Sequence, residues 1–137
     1  MADVPRPLPN LHELDTQPFW EATKQHELRY QVCNACGGVV FYTRKHCPHC
    51  MSFDLRWEQS KGAGAIYTYT VIRQIGHPVF KARAPYAVAL IDLDEGFRIM
   101  SHVILPKEDV DSVKIGQRVR LDWEDCDEVS LPVFRPA

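Results

Sequence analysis

Hydrophobic and polar positions alternate with a period of two in the second half of the chain. The clearest example is 118–124, where Val119, Leu121 and Trp123 alternate with charged residues. This period is typical of strands that bury one face. Other runs are rich in β-branched and aromatic residues and are bounded by glycine, proline or aspartate, as strands commonly are. The predicted strands cover 65–74, 86–93, 97–104, 118–124 and 132–135.

Five short strands favour a small closed barrel of the OB type. We expect a conspicuous loop at 75–85, after the first of these strands, and one helical turn or compact loop at 106–115. Asp94-Glu95-Gly96 supplies a short turn between the second and third strands. A flat β-sandwich fragment is the alternative, but closure protects the edges of five strands better.

The first half of the chain predicts less regular structure. The proline-rich segment 1–14 is expected to form an extended arm. A helix is predicted over 17–28, because Asp15 or Thr16 can cap it and Pro18 is tolerated in its first turn. Its expected packing positions are Phe19, Trp20, Thr23 and Leu28. Short strands are expected at 30–32, 38–42 and 55–58, and a boundary at 61–64.

Four cysteines form two CxxC pairs, Cys33 with Cys36 and Cys47 with Cys50, separated by ten residues. Pairs this close strongly indicate one tetrahedral metal site, and four thiolates leave no open position for water. We therefore predict a structural zinc ion. Iron is the chemical rival, because it also accepts a tetrahedral sulfur site. Two disulfides or four free thiols are the remaining alternative.

These patterns predict a mainly β protein with a short N-terminal helix, in which a rubredoxin-like zinc ribbon precedes a five-stranded OB-fold barrel. The expected divisions are an arm and helix at 1–28, the zinc ribbon at 29–60 and the OB-fold domain at 61–137. A ribbon has little apolar core, so metal binding should supply much of its folding free energy.

The formal net charge is −2, and neither half of the chain has a surplus of lysine and arginine. This balance argues against a general nucleic-acid-binding protein. The opening segment lacks the pattern of a signal peptide, and no apolar run is long enough to span a bilayer, so no membrane association is expected. Zinc thiolates suit a reducing compartment, which predicts a cytoplasmic location.

The residues do not predict a catalytic site in this chain. His46 and His49 lie beside the second cysteine pair, but the four cysteines already complete a tetrahedron. Cys126 is flanked by two aspartates, whose charge disfavours a reactive thiolate. The loop 75–85 mixes apolar and basic residues, as acyl-CoA sites and protein interfaces do. Its candidate ligand or partner contacts are His77, Phe80, Lys81 and Arg83.

The order of helix, four-cysteine ribbon and five-stranded barrel resembles the acyl-CoA-associated zinc-ribbon/OB-fold family known as domain of unknown function 35. The resemblance extends from Phe19 to the C-terminus. Two departures from the family pattern flank the second knuckle: Tyr42-Thr43 before Arg44, where proline is common, and Met51-Ser52 where glycine is common. The residues that carry the resemblance are Phe19-Trp20, Leu28, Gln31, Cys33, Cys36-Gly37, Arg44, Cys47-Pro48, Cys50, Pro85-Tyr86, Asp92 to Gly96, Ile115-Gly116, Val119, Leu131-Pro132 and Phe134-Arg135-Pro136.

Members of this family look like accessory subunits or fused domains of thiolase-like enzymes. The resemblance implies a non-catalytic subunit that supports a thiolase, an acyltransferase or a lipid-transfer-protein-type aldolase in acyl-CoA metabolism, with steroid or aromatic side-chain degradation as one setting. The partner would carry the catalytic residues, while this chain would help to shape the acyl-CoA channel. A heterotetramer with two copies of each chain is expected on the same ground. Phe19, Trp20 and Arg44 are further candidate contacts.

Single-stranded nucleic-acid binding is the alternative function, because zinc ribbons and OB folds both support it through stacking aromatic residues. The acidic charge balance weighs against it. A stand-alone enzyme ranks third, because the sequence offers no convincing nucleophile with a base. The candidate stacking residues are Tyr67, Tyr69, Phe97 and Trp123.

Overall fold

A computed structural model describes residues 5–137 and shows a three-stranded ribbon packed against a closed five-stranded barrel. The predicted mainly β fold, with a cysteine ribbon followed by an OB-type barrel, is confirmed. In chain order the elements are α1 (Gln17–Thr23), β1 (Arg29–Cys33), β2 (Val39–Val40), β3 (Leu55–Gln59), β4 (Ala63–Ile72), α2 (Pro78–Arg83), β5 (Tyr86–Leu93), β6 (Arg98–Val103), a 3₁₀ helix (Lys107–Ser112), β7 (Arg118–Asp125) and β8 (Ser130–Pro136).

The barrel closes in the order β4-β5-β6-β8-β7, with β7 paired back to β4. Its neighbours are antiparallel except β6 and β8, which run parallel and meet at Val103 and Phe134. Two residues before this pair in each strand, a side chain bridges them instead, since the Ser101 hydroxyl donates to the Pro132 carbonyl oxygen over 2.7 Å. The barrel is closed at that pair, but the first halves of β6 and β8 lack backbone ladder pairing, and in this sense the wall is open there.

Helix α1, the ribbon and the barrel share one hydrophobic core. Phe19 and Leu28 are buried together with the inward residues of the barrel. The ring of Phe97 lies 4.8 Å from the ring of Tyr30 and 4.8 Å from the ring of Phe41, both of which belong to the ribbon side. Because buried aromatic rings contribute strongly to packing, this contact fixes the ribbon against the barrel.

The predicted helix over 17–28 is wrong beyond Thr23, where α1 ends. His26 has a φ of 59°, which interrupts the helix, and Leu28 reaches the core from the segment before β1. Strand pairing prevails here because Arg29 is already paired with Gln59 of β3. Sheet hydrogen bonds thus satisfy backbone groups that a longer helix would have used.

The predicted loop at 75–85 contains the helix α2. Its N-cap is His77, whose Nδ1 accepts from the Val79 amide over 3.3 Å, and Pro78 takes the first helical position. Proline favours that position because its missing N–H is not needed there. Histidine is not a common cap, which explains why the sequence pattern did not indicate this helix.

Several strands differ in length from their predictions. The ribbon strand predicted over 38–42 is limited to Val39–Val40, while the first barrel strand begins earlier, at Ala63. A bulge at Tyr67 shifts the register between β4 and β5. Among residues 5–137, no helix is long and apolar enough to cross a membrane.

Candidate functional site

The two cysteine pairs meet at one end of the ribbon. Cys33 ends β1, Cys36 follows in the first knuckle, and Cys47 and Cys50 lie in the second knuckle between β2 and β3. All four sulfur atoms lie within 4.8 Å of one another. Backbone amides donate to sulfur in both knuckles, from Gly38 to Cys36 over 3.4 Å and from His49 to Cys47 over 3.3 Å.

The spacing of the sulfur atoms fits a tetrahedral metal ion. The Sγ atoms of Cys33 and Cys50 are 3.6 Å apart, and those of Cys36 and Cys47 are 3.7 Å apart. Zinc–sulfur bonds of about 2.3 Å in a tetrahedron place two sulfurs about 3.8 Å apart. In a disulfide bond the two sulfur atoms would be only about 2.05 Å apart. The donor set and its geometry therefore suit a closed structural zinc site, in which Cys33, Cys36, Cys47 and Cys50 would be the ligands.

Without a cation the four thiols do not ionise alike. The backbone amide of Cys36 holds the pKa of Cys33 down at about 7, in spite of burial. The Ser52 amide has the same effect on Cys50, but desolvation and the neighbouring thiols outweigh it and raise the pKa of Cys50 to about 12. Four thiolates at this distance need a divalent cation to balance their charge.

The described side chains near the cysteines do not form a nucleophile–base pair. His49 Nε2 lies 3.3 Å from the Val39 carbonyl oxygen, and the His46 ring lies beside Phe53. Burial raises the pKa of the Cys126 thiol, and the charge of Glu124 adds to the effect. The unreactive form of Cys126 is therefore favoured at neutral pH.

A groove with mainly apolar walls lies where the barrel wall is open between β6 and β8. We call it the apolar groove, and its volume is about 300 Å³. The groove is formed by helix α1, by strands β6 and β8, and by the ribbon segment that follows β2. Its principal lining residues are Phe19, Trp20, Phe41, Tyr42, Met100, Leu131, Pro132 and Val133, with Arg6 and His102 also lining it.

The rim of the apolar groove carries two exposed side chains. Tyr42 is 54% exposed and Met100 is 62% exposed. The Met100 amide donates to the Tyr42 hydroxyl oxygen over 3.0 Å, so the ribbon is hydrogen-bonded to an open stretch of β6. Met100 alternates with the buried residues Ile99 and Ser101, which turns its side chain outward.

A cationic cluster lies beside the groove, at α2. Arg6 and Arg83 both pair with the carboxylate of Glu124, over 2.9 and 2.6 Å, and both guanidinium groups lie near the ring of Phe80. Burial lowers the pKa of His102, and the charge of Arg6 adds to this. His102 is therefore neutral at pH 7, and two guanidinium groups share one carboxylate.

The structure brings together only part of the predicted contact residues. Phe19 is buried in the core at the floor of the groove, while the half-buried Trp20 lies in its wall. Arg44 is exposed elsewhere on the ribbon, where its backbone is held by the Gln31 side chain through bonds of 2.8 and 2.7 Å. The remaining predicted contacts share the α2 segment: His77, Phe80, Lys81 and Arg83.

Sequence reasoning missed Arg6, Tyr42 and Met100. The alternation within β6 could have indicated that Met100 points outward from the barrel. Arg6 and Tyr42 gave no such signal, because the first lies in the proline-rich arm and the second follows a strand of only two residues.

The predicted nucleic-acid stacking residues are mostly engaged within the fold. Phe97 is buried, and Trp123 stacks on the ring of His26 at a centroid distance of 5.2 Å. The Arg98 guanidinium covers the ring of Tyr67 at 3.6 Å. Tyr69 is 39% exposed and remains as a candidate platform. Tyr67 is itself 51% exposed, but its ring is stacked with the Arg98 guanidinium. Two tyrosines, one of them already stacked within the fold, do not make the row of platforms that single strands need.

Two domain models of one family match this chain. The rubredoxin-like zinc ribbon domain of ChsH2 matches residues 20–56, and the C-terminal OB-fold domain of ChsH2 matches residues 57–124. A probable enoyl-CoA hydratase alpha subunit of Thermomonospora curvata is 41% identical over 135 residues, or 96% of this chain. The chain spans only 40% of the length of that relative.

Other relatives match over most of their own length. A DUF35 domain-containing scaffold protein of Methanothermobacter thermautotrophicus is 35% identical over 109 residues, which cover 78% of this chain and 80% of that protein. A chain of the solved Ltp2-ChsH2(DUF35) aldolase is 39% identical, with a TM-score of 0.81 and coverage of 96% of this chain and 98% of that chain. A DUF35 structure from Sulfolobus solfataricus, at 16% identity and a TM-score of 0.62, supports the fold alone.

The matches define the class of protein as a zinc ribbon joined to an OB-fold barrel. The chain belongs to the ChsH2 family of DUF35 proteins, and the resemblance drawn from its motifs is confirmed.

Proposed function

We propose that this chain is a non-catalytic accessory subunit that binds and supports a thiolase-superfamily enzyme in acyl-CoA metabolism. The partner would be a thiolase, an acyltransferase or a lipid-transfer-protein-type aldolase. The chain would be required for the activity of the complex without converting substrate by itself.

One observation carries this proposal. Nearly the whole chain matches the ChsH2(DUF35) chain of an aldolase complex in both sequence and fold, with 39% identity and a TM-score of 0.81. The relatives named as hydratase alpha subunits, from Thermomonospora curvata and Mycobacterium tuberculosis, support the same setting because their names also denote subunits of CoA-thioester enzymes.

The chemistry of the chain supports an accessory role. Its metal site is closed by four cysteines, whereas a catalytic zinc keeps a position for water or substrate. The Cys126 thiol is held in its protonated form. Catalytic residues are therefore assigned to the partner.

Acyl-CoA is a candidate ligand of the assembled complex. Its phosphates need cations, such as Lys81 on α2, and its acyl part needs apolar walls, to which Val79 and Phe80 of the same helix could contribute. In this proposal the chain forms one side of the acyl-CoA channel, in a cytoplasmic heterotetramer with two copies of each subunit. Steroid or aromatic side-chain degradation is a setting compatible with these features.

The proposal is tested by tagging the chain in its source cell, purifying it at moderate salt and identifying the recovered proteins by mass spectrometry. We expect a thiolase-like or aldolase protein in equal amount, with one zinc ion per copy of this chain. Recovery of nucleic acid alone, or of the chain alone, would contradict the proposal. The same tag on an unrelated protein serves as the control.

A further inference from the structure

We infer that the apolar groove is the surface on which the partner enzyme docks, and that it receives an apolar side chain with a carboxylate next to it. This inference rests on the proposed function and adds to it the position of the contact and the chemistry of the partner's segment.

The composition of the groove matches the centre of a protein interface. Tryptophan, tyrosine, methionine and arginine are enriched in such centres, and lysine and glutamate are depleted. The groove contains Trp20, Tyr42, Met100 and Arg6 among its lining residues, and none of the lining residues within 5–137 is a lysine or a glutamate. Its volume of about 300 Å³ can hold a few apolar side chains.

The groove is also rigidly formed. Its floor belongs to the shared core, since the Phe19 ring lies 4.8 Å from the Trp20 ring and 5.8 Å from the Phe41 ring. Its rim is fixed by the hydrogen bond from the Met100 amide to the Tyr42 hydroxyl oxygen. A preformed surface loses little conformational entropy on binding, which favours a stable complex.

The charge beside the groove selects the chemistry of the occupant. Arg6, which lines the groove, and Arg83 carry two positive charges, and Glu124 supplies one negative charge between them. His102 is neutral at pH 7, because burial lowers its pKa. It therefore does not change the net charge of the cluster, which is one positive charge. The remaining positive charge complements a carboxylate on the incoming segment.

The shape of the groove favours a protein segment over a small molecule. Small-molecule sites usually bury most of their ligand, whereas this groove is an open trough with Tyr42 and Met100 exposed at its rim. Exposed apolar rims of this kind are covered when a larger surface docks.

A second exposed apolar side chain supplies a matched comparison. Phe53 is 78% exposed on the ribbon, beyond the second knuckle, and its ring lies near His46. It is absent from the groove lining. An aspartate at Phe53 or at Met100 places the same charge on an exposed apolar position, so the two variants differ mainly in location.

The experiment compares the tagged wild-type chain with Met100→Asp and Phe53→Asp in the source cell, measuring the ratio of the thiolase-like partner to this chain. We expect Met100→Asp to lower the ratio at least tenfold and Phe53→Asp to leave it within twofold of wild type. Zinc content and the unfolding temperature of each purified variant report whether it has folded. An unchanged ratio in Met100→Asp, or a loss confined to Phe53→Asp, overturns the inference.

A second pair of variants tests the predicted carboxylate. Arg83→Gln should weaken partner binding about tenfold and reduce its salt dependence. Glu124→Gln should strengthen binding several-fold, because it removes the carboxylate that competes for the two guanidinium groups. Unchanged binding in both variants, or weaker binding in Glu124→Gln, would rule out the carboxylate.

A wrong proposed function and a wrong docking surface give different experimental results. If the wild-type chain recovers no thiolase-like protein, the proposed function is wrong, and the docking inference is wrong with it. If the wild-type chain recovers that protein and Met100→Asp recovers it equally well, only the docking surface is wrong.

Discussion

The four cysteines of the ribbon differ in solvent exposure although their sulfur atoms cluster at one candidate metal site. Cys33 and Cys47 are buried, while Cys36 and Cys50 are exposed. Cys47→Ser should abolish tight zinc binding, because serine does not replace a thiolate ligand, and most of the ribbon's folding free energy comes from the metal. The number of zinc ions per chain, measured by mass spectrometry of the metal, should fall from about one to near zero. The backbone amide hydrogens of the ribbon should exchange rapidly with solvent.

Cys126→Ser is the matched control for this prediction. Cys126 lies outside the ribbon and is half-buried. Its replacement should leave zinc content unchanged and alter the unfolding temperature little. Full zinc content in Cys47→Ser would show that the four cysteines do not form the metal site.

Gly62 is the residue at which backbone conformation and packing restrict substitution most clearly. Its φ is +79°, and an added Cβ would lie 2.5 Å from the Leu121 Cβ. Gly62→Ala should therefore lower the free energy of unfolding by about 2–4 kcal/mol, from the left-handed backbone and the clash together. Urea unfolding measures this change.

Gly76→Ala provides the comparison, because a Cβ at Gly76 meets no atom within 4 Å. Its effect should stay within about 0.5 kcal/mol. Equal stability of the two variants would contradict the described approach of Gly62 to Leu121.

Asp94 gives the molecule a pH-dependent contact at a barrel turn. The hydrogen-bonded Arg118 guanidinium holds the pKa of Asp94 below its ordinary value, through bonds of 2.8 and 2.7 Å. A carboxyl with a lowered pKa stabilises the fold above its unfolded value, about 3.9, and the stabilisation is lost as the pH falls through the folded value. Asp94→Asn should be less stable than wild type at pH 7.

The difference between Asp94→Asn and wild type should shrink as the pH falls below about 4, when the wild-type carboxyl becomes protonated. Urea unfolding of both proteins at each pH measures the difference, and zinc release at low pH affects both alike. A difference that does not change with pH would show that the Asp94 contact is not ionic.

Glu95 joins two connections between strands, the β5–β6 turn and the segment between β3 and β4. Its carboxylate accepts from the Ser60 hydroxyl and from the Lys61 amide, each over 2.8 Å. Glu95→Ala should cost about 1.5–3 kcal/mol, since hydrogen bonds to charged groups are worth that much. Hydrogen exchange at the Lys61 amide should become faster. Glu95→Gln, which keeps one acceptor oxygen, should lose less stability, and unchanged exchange in Glu95→Ala would contradict this role.

The strands and helices differ in how well the sequence pattern predicts them. Strands β5 and β7 were predictable because inward residues such as Ala89, Ile91 and Val119 recur at every second position. The end of α1 was not predictable, because the pairing of Arg29 with Gln59 depends on a strand 30 residues away in the chain. Helix α2 was not predicted, because its N-cap is His77 and histidine is not a common cap.

Across the whole protein, the metal site and the apolar groove differ in how the chain assembles them. The cysteines come from two short knuckles, so their spacing alone predicts that they cluster. The groove combines α1, the ribbon, β6 and β8 around an opening in the barrel. Trp20 and Met100 are 80 positions apart, and no local period relates them.

We propose that this chain supports a partner enzyme and does not act by itself. The most direct measurement is the CoA-thioester turnover and thermal stability of the recovered partner enzyme, with and without this chain. We expect no turnover by this chain alone, little turnover or low stability for the partner alone, and full turnover for the complex. Enzymatic turnover by this chain alone, or a partner equally active and stable without it, would contradict the accessory role.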